Sequence, residues 1–203
     1  LYNQRYKYPP EVMLSHSFYV AHTEEFFDFY RTKMLYLDAQ PNAAHKKLAE
    51  LETAGKLTAV VTQNIDGLHQ KAGSRHVYEL HGSVLRNTCQ VCGRLYSLDE
   101  ILRTSGIPTC SCGGIIKPDV VLYEEPLDES ILSGAIQSIE QADLLVVGGT
   151  SLSVYPAAGL IRYFRGKHLV LINRDSTPYD GNADLLIQEP IGRVLGNLLV
   201  PSL

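Results

Sequence analysis

The only four cysteines of this 203-residue chain fall within one short window, at Cys89, Cys92, Cys110 and Cys112. The first pair, in CQVCG, has the C-x-x-C spacing that aims two sulfur atoms at one point, whereas the second pair, in CSCGG, has one intervening residue. A glycine follows each pair, as a tight turn with positive φ requires. Four such thiolates complete a tetrahedron around zinc and leave no open position for a substrate. We therefore predict a structural zinc module.

Two other interpretations of the cysteines are two disulfides or four ordinary buried thiols. Disulfides belong to oxidising compartments, and the sequence shows no basic-then-apolar leader. A nucleic-acid-binding zinc module would need an excess of positive charge. The charges between the first and last cysteine cancel, since they are Arg94, Asp99, Glu100 and Arg103.

Composition limits the class of protein and its partners. With 45% hydrophobic and 20% charged residues, the chain can bury a core of one large domain carrying a small inserted module. No apolar run approaches the length of a membrane span. The net charge of -4 gives no basic footprint for nucleic acid or an anionic membrane. We expect a cytoplasmic protein with neither nucleic-acid nor membrane partners.

Helix-like and strand-like segments alternate along the chain. Apolar spacing predicts helices in EEFFDFYRTKMLYL, PNAAHKKLAELETAGK, DESILSGAIQSIEQA and PAAGLIRYFRG. Short apolar runs ending in polar or glycine residues predict strands in LTAVVTQ, HVYELHG, DLLVVGGTS, HLVLINRD and DLLIQ. Such runs are typical of strands buried on both faces of a parallel sheet. The pattern predicts an α/β fold.

Four of these strands end in polar residues. The ends are Gln63, Asn64, Ile65 and Asp66; His81 and Gly82; Gly148, Gly149, Thr150 and Ser151; and Asn173, Arg174 and Asp175. Ligands of open α/β sheets bind outside the carboxyl ends of the strands, and glycine followed by hydroxyl residues suits a phosphate or ribose. A strand-terminal Asn also serves as a turn residue that bonds its own backbone. Taken together on one sheet edge, the four ends predict a nucleotide-sized site.

The order of these motifs resembles that of the sirtuins, the NAD-dependent protein lysine deacylases, and in particular their bacterial-type members. The similarity rests on TQNIDGLHQKAG, ELHGS, the paired cysteines, IIKPDVVLYEE, GTSLSVYPAAGL and LINRD, and covers residues 58–195. It implies a Rossmann-like parallel sheet that binds NAD and a smaller zinc-binding and helical domain. The implied domains are a helical segment at 1–45, the Rossmann-like domain at 46–85 and 118–203, and the zinc module at 86–117.

The resemblance also implies roles for individual residues around NAD. Gln63, Asn64, Ile65 and Asp66 are expected at the nicotinamide and its ribose, where carboxamides and a carboxylate can hydrogen-bond. Gly149, Thr150 and Ser151 are expected at the phosphates and ribose. The adenosine end is assigned to Asn173, Arg174, Asp175 and, at the adenine, Ile191.

His81 is the expected catalytic residue. In the family, the acyl oxygen attacks the nicotinamide ribose, nicotinamide leaves, and a histidine acts as general base on a ribose hydroxyl, giving free lysine and O-acyl-ADP-ribose. Histidine suits this task because its pKa lies near working pH. From the residues alone, the favoured interpretation of His81 is a structural histidine that caps a strand. His69 and His76 are assigned such structural roles.

The acyl-lysine protein or peptide substrate is expected to add as a strand along KPDVVLYEE, with Val121 near the acyl-lysine and Tyr123 walling its tunnel. Many relatives carry Phe-Gly at the position of Tyr123 and Glu124. Sirtuins that prefer acidic acyl groups carry a Tyr-x-x-Arg pair where this chain has Phe27 and Tyr30. We therefore expect short neutral acyl groups, acetyl first.

The family opens with a Gly-Ala-Gly-x-Ser strand and turn and a Pro-Asp-Phe-Arg segment, and the sequence contains neither. We expect further sequence upstream of Leu1. The alternative functions are protein ADP-ribosyl transfer and non-catalytic binding of NAD or an acyl peptide. The oligomeric state is left open.

Overall fold

The computed structural model describes residues 7–200 of the chain. The first six residues of the predicted helical segment at 1–45 lie outside that range. The chain forms two compact units. The first unit takes the chain up to Ala39, Asn64–Gly67 and His81–Leu127, and the second takes Gln40–Gln63, Leu68–Leu80 and the chain from Asp128 onward. The predicted domain boundaries stay a prediction.

Eight α-helices and eight strands lie within the described residues. The helices are α1 (Pro10–Met13), α2 (His16–Ala21), α3 (Thr23–Phe29), α4 (Ala43–Thr53), α5 (Leu68–Ala72), α6 (Leu98–Leu102), α7 (Glu129–Glu140) and α8 (Ile191–Gly196). The strands are β1 (Val60–Thr62), β2 (Val77–Glu79), β3 (Gly82–Cys89), β4 (Leu95–Ser97), β5 (Ile116–Val120), β6 (Leu144–Gly148), β7 (His168–Ile172) and β8 (Leu185–Ile187). None of the helices within residues 7–200 has the length and apolar character needed to cross a membrane.

The predicted helices are present, with two differences in type. The first continues beyond α3 as a π-helical turn, Tyr30–Met34, and the last is a 3-10 helix, Ala157–Tyr163. All five predicted strands form, and each is shorter than the sequence segment quoted for it. The sequence did not predict β3, β4 or β5.

An aromatic core holds the first unit together. Phe26, Phe27, Phe29 and Tyr30 are fully buried at the end of α3 and the start of the π turn. The same cluster contains Cys89 and Cys110 of the cysteine module together with Val84, Val120 and Leu122. The helices and the cysteine module therefore share one core. Burial of aromatic side chains is a large source of stability.

β3 is the central strand of the first unit. It pairs antiparallel with β4 on one side and β5 on the other. It begins at Gly82, whose φ is +73°. A Cβ at this position would lie 1.8 Å from the carbonyl oxygen of Asp119 in β5. Only glycine permits this approach of the two strands.

The second unit contains two parallel sheets rather than the single sheet predicted. β1 pairs with β2, and β6, β7 and β8 form a three-stranded sheet in that order. Among the described residues no strand joins the two sheets. The predicted common edge is therefore divided into two edges: the polar ends of β1 and β2 share one, and those of β6 and β7 share the other.

The prediction that the strands are buried on both faces is wrong for β6 and β8. Leu144 and Leu185 are 52% and 51% exposed. The reason is that α4 and α8 cover only part of this face, because they pack against Ile172 and Ile187 near the carboxyl end of the sheet. The amino-terminal part of the same face is left open.

The contact at Gly82 gives a stability prediction. Gly82→Ala places a methyl group on the Asp119 carbonyl and holds alanine at positive φ, so we expect a loss of roughly 3 kcal/mol or more in the free energy of unfolding. Urea denaturation measures it. Gly55→Ala is the control, because Gly55 also has positive φ (+66°) but nothing within 4 Å of its Cβ position. That variant should lose only about 1 kcal/mol. Equal losses in the two variants would contradict the contact.

Candidate functional site

The four cysteine sulfur atoms converge on one point. All lie within 4.8 Å of one another, with 3.5 Å between the sulfurs of Cys89 and Cys112 and 3.6 Å between those of Cys92 and Cys110. A disulfide needs about 2.0 Å, and all four cysteines are free. A zinc ion at the usual bond length of about 2.3 Å would place its ligand sulfurs about 3.8 Å apart. The cluster therefore fits structural zinc, and the disulfide alternative is excluded.

Backbone turns and one tyrosine shape the cysteine cluster. The amide of Cys112 and then the hydroxyl of Tyr96, which donates to Cys110 Sγ at 3.0 Å, lower the pKa of the Cys110 thiol to about 6. Against the lowering effect of the Gly114 amide, the neighbouring thiols raise the pKa of Cys112 to about 12. A Cβ on Gly114 would lie 2.7 Å from Cys89 Sγ. The site is thus tightly built, and a bound divalent cation would favour the thiolate form of all four ligands.

His81 lies in the turn between β2 and β3. Its backbone carbonyl accepts a hydrogen bond from the amide of Val121 at 3.0 Å, directly after the close contact of Gly82 with β5. The structure therefore places the predicted base beside the predicted substrate segment, within the first unit. His81 is half-buried.

The loop Asn64–Gly67 is attached to the same strand. The carbonyl of Ile65 accepts from the Val84 amide at 3.0 Å, and a Cβ at Gly67 would meet the Leu85 side chain at 2.5 Å. Asn64 and Asp66 are exposed on this loop. Asn64, Ile65, Asp66 and His81 are thus all anchored to the first half of β3. Gln63 belongs to the second unit, where it follows β1.

The glycine pair after β6 and the start of α8 form a second group of predicted residues. A Cβ at Gly148 would lie 2.4 Å from Cδ1 of Ile191. Gly149 has a φ of +64° and donates to the carbonyl of Ile172, at the end of β7, over 3.1 Å. The predicted phosphate and adenine contacts therefore lie together at the carboxyl edge of the three-stranded sheet, where open α/β sheets bind ligands.

Local hydrogen bonds shape the other residues at this edge. Thr150 Oγ1 accepts from the amide of Leu152 at 3.2 Å, and the hydroxyls of Ser151 and Ser153 are 2.5 Å apart. The Asn173 side chain donates to the carbonyl of Asp175 at 3.0 Å. This bond closes its own turn, as the alternative interpretation of a strand-terminal Asn expects. Arg174, Asp175 and Ser151 are exposed.

The two histidines assigned to structural roles lie in the second unit. His76 Nδ1 is 2.6 Å from Glu52 Oε1, and the ring of His69 lies 4.6 Å from that of His45. Glu52 also accepts from the amides of Arg75 and His76. The Arg75 bond is the largest cause of the lowered pKa of the Glu52 carboxyl.

The backbone of Tyr123 is already paired. Its amide donates to the carbonyl of Leu14, and its carbonyl accepts from the amide of His16, both at 2.9 Å. A peptide that adds along this segment cannot hydrogen-bond these two backbone groups in the present arrangement. The part of the segment with which a substrate strand can pair is therefore shorter than predicted. The side chain of Tyr123 is 47% exposed.

Sequence reasoning assigned no role to three charged residues around this segment, Lys117, Glu124 and Glu125. Buried Lys117 donates to the carbonyl of Val120 at 2.8 Å and lies 3.2 Å from Glu125 Oε2. Glu124 accepts from Ser17 in α2. The repeated Glu in LYEE was the available signal, but Ser17, the partner of Glu124, lies 107 positions away in the chain.

The cysteine cluster gives a prediction on metal content. Cys110→Ser replaces a thiolate by a poor zinc ligand, so we expect the loss of one equivalent of zinc and a melting temperature lower by roughly 10 °C. Metal analysis by atomic emission and thermal unfolding measure both. Ser111→Ala, between the two cysteines of the second pair, is the control and should keep its zinc. Full zinc content in Cys110→Ser would contradict the assignment.

Comparisons with known proteins agree with this geometry. The family model described as Sir2 family matches residues 1–156. An NAD-dependent protein deacetylase of Clostridium acetobutylicum is 60% identical over 196 residues, which cover 96% of this chain and 80% of the relative. One of Clostridium perfringens is 58% identical over 203 residues, covering 98% and 83%.

Solved structures are similar as well. A Sir2 complex with p53 peptide and NAD+ has a TM-score of 0.85 at 40% identity, covering 94% of this chain and 82% of the other. A Sir2 homologue in complex with NAD has a TM-score of 0.87 at 35% identity, covering 94% and 76%. With its α/β Rossmann-like fold and a cysteine site that fits structural zinc, the chain belongs to the Sir2 family.

Proposed function

We propose that this protein removes acetyl groups from protein lysines with NAD as co-substrate, giving nicotinamide and O-acyl-ADP-ribose. The observation that carries the proposal is the 3.0 Å hydrogen bond from the Val121 amide to the His81 carbonyl. It joins the proposed base to the proposed substrate segment in a chain whose relatives are named NAD-dependent protein deacetylases. A cytoplasmic location is part of the same proposal.

Each group of site residues has a separate role in this proposal. Gln63, Asn64, Ile65 and Asp66 hold the nicotinamide end of NAD, and Gly149, Thr150 and Ser151 hold its phosphates and ribose. The adenosine end belongs to Asn173, Arg174, Asp175 and Ile191. Support for the last group comes from the packing of Ile191 on the glycine pair.

His81 acts as the general base. NAD supplies an electrophilic ribose carbon when nicotinamide leaves, and the imidazole of His81 accepts a proton from a ribose hydroxyl. The hydrogen bond from the Val121 amide to the His81 carbonyl holds the backbone from which the imidazole extends. Gly82 adds no side chain beside it, which leaves space for the co-substrate.

Val121 and Tyr123 contact the acyl-lysine. Several similar solved structures contain acetylated or propionylated peptides. The proposed acyl preference is for acetyl, because Phe27 and Tyr30 are fully buried and the Tyr30 hydroxyl is bonded to the Val84 carbonyl at 3.3 Å. Arg31, the adjacent cation, is bonded to the Gly106 carbonyl and Thr104 hydroxyl instead. Phe27 and Tyr30 are uncharged, and the Arg31 guanidinium is bonded within the protein, so these residues favour a neutral acyl chain over an acidic one.

The proposed role of His81 gives a direct test. An acetyl-lysine peptide is incubated with the complete gene product, with and without NAD, and followed by mass spectrometry. We expect acetyl loss only with NAD, and a rate roughly 100-fold lower or more in His81→Ala, because the proton acceptor is removed. His76→Ala, which alters an exposed histidine bound to Glu52, is the control and should keep wild-type activity.

Three results would contradict the proposal. They are acetyl loss without NAD, unchanged activity of His81→Ala, and addition of ADP-ribose mass to protein in place of acetyl loss. The third result would favour the ADP-ribosyltransferase alternative.

A second prediction concerns the acyl group. On one peptide sequence, acetyl-lysine should be deacylated faster than succinyl-lysine, because Phe27 and Tyr30 are uncharged and the nearby Arg31 guanidinium, 5.6 Å from the Phe27 ring, is bonded to the Gly106 carbonyl and the Thr104 hydroxyl. Initial rates with the two peptides at equal concentration measure the preference. Faster removal of succinyl would refute it.

A further inference from the structure

The residues after β5 are fastened to the start of α2 by side chains as well as by backbone. Glu124 Oε2 accepts hydrogen bonds from the amide of Ser17 at 2.8 Å and from its hydroxyl at 2.5 Å. We call this pair of bonds the Ser17–Glu124 clasp. It stands beside the two backbone bonds of Tyr123 to Leu14 and His16. The segment that carries Tyr123 is therefore bonded to three positions of the other chain segment, Leu14, His16 and Ser17.

Glu124 has an unfavourable backbone conformation. Its φ is +76°, a left-handed value at which a side chain with a Cβ is strained. Within residues 7–200 the only other non-glycine residue with positive φ is Leu152. Strained residues of this kind persist only where surrounding contacts impose them, and they cluster at functional sites. At Glu124 these contacts are the clasp and the Leu122–Glu125 turn, which is closed by a 3.0 Å bond from the Glu125 amide to the Leu122 carbonyl.

The next residue, Glu125, has a different set of partners. Its carboxylate accepts from the Leu122 amide at 2.8 Å, lies 3.2 Å from Lys117 Nζ and is 2.9 Å from His16 Nδ1. Glu125 therefore closes the turn internally and compensates a buried lysine. The Glu124 carboxylate hydrogen-bonds Ser17 and not Lys117, so its substitution should leave the buried lysine with its counter-ion Glu125.

The electrostatics of the clasp agree with its geometry. The hydroxyl of Ser17, and then its amide, lower the pKa of the Glu124 carboxyl. The bond is thus charge-assisted, which makes it stronger than a bond between neutral groups.

We propose that Ser17 and Glu124 are positioning residues for the acyl-lysine substrate, because their clasp fixes the Tyr123 backbone in the conformation that the substrate contacts. The proposal rests on the proposed function of Val121 and Tyr123. Neither Ser17 nor Glu124 touches the reacting atoms. Their effect is transmitted through the backbone from Glu124 to Tyr123, while the other end of the segment is fixed by the bond between Val121 and His81.

The variant Glu124→Gly separates the effect of the Glu124 side chain from the effect of its backbone conformation. Glycine adopts positive φ without strain, so this variant keeps the turn but loses the clasp. We expect the KM for an acetyl-lysine peptide and the Kd of that peptide to rise about 3- to 10-fold, with kcat and the KM for NAD within twofold of wild type. Steady-state kinetics and fluorescence anisotropy of a labelled acetyl-lysine peptide measure the two constants.

Two further variants test whether the hydrogen bonds are responsible. Glu124→Gln keeps an acceptor oxygen for Ser17, so peptide binding should stay within about twofold of wild type. Ser17→Ala keeps the amide donor but loses the hydroxyl, so its effect should be smaller than that of Glu124→Gly. The double variant Ser17→Ala with Glu124→Gly should be no worse than Glu124→Gly alone, because the two residues act as one pair.

The chain offers a matched control in the same unit. Glu100 Oε2 accepts from the amide and hydroxyl of Ser97 at 2.7 and 2.8 Å, which is the same type of clasp at the start of α6. Glu100→Ala should lower stability without changing the Kd of the peptide. Urea midpoints of both variants separate stability from binding.

The outcomes are distinguishable. An unchanged peptide Kd in Glu124→Gly, or an equal rise in the KM for NAD and for peptide, overturns the positioning role. If the wild-type protein binds the peptide but does not deacetylate it, the proposed function fails and the Kd values still decide the clasp. If the wild-type protein binds no acetyl-lysine peptide, both proposals are wrong.

Discussion

The first unit depends on the close approach of Gly82 to the carbonyl of Asp119. This contact lets β3 and β5 begin their pairing next to the turn that carries His81, and the bond between His81 and Val121 follows from it. The same strand then anchors Asn64–Gly67 along its first half and ends at Cys89 in the cysteine cluster. The single strand β3 thus anchors the loop Asn64–Gly67, the turn at His81 and the cysteine module. Its position is secured by the buried aromatic residues of α3 and the π turn.

In the proposed site, stability and chemistry belong to neighbouring residues rather than to the same ones. Gly82, Ile65 and Lys117 provide close packing, backbone pairing and a buried charge with partners, whereas His81, Asn64 and Tyr123 present side chains beside them. A scaffold of this kind holds functional groups in place before a ligand binds. Such preorganisation lowers the entropic cost of binding. The left-handed Glu124 next to Tyr123 fits this pattern, since its strain is compensated by bonds to a segment far away in sequence.

Some features of the molecule follow directly from local sequence. The spacing of the cysteines predicted a convergent cluster, and the apolar runs predicted β1, β2, β6, β7 and β8, because both are set by residues close together in the chain. Other features depend on distant residues. The division of Gln63 from Asn64 between two units, the occupied backbone of Tyr123 and the partners of Glu124 arise from contacts of high sequence separation. The exposure of Leu144 depends on where α4 and α8 pack on the sheet, which no pattern within β6 records.

The central claim is that the turn at His81 brings a general base to an acyl-lysine lying along Val121. The most direct measurement is a crystal structure of the complete gene product with an acetyl-lysine peptide and a non-hydrolysable NAD analogue. We expect an imidazole nitrogen of His81 within about 3.2 Å of a hydroxyl of the nicotinamide ribose, with the acetyl-lysine beside Val121. A complex in which His81 faces away from the ribose, or in which the peptide binds away from Val121, would contradict it.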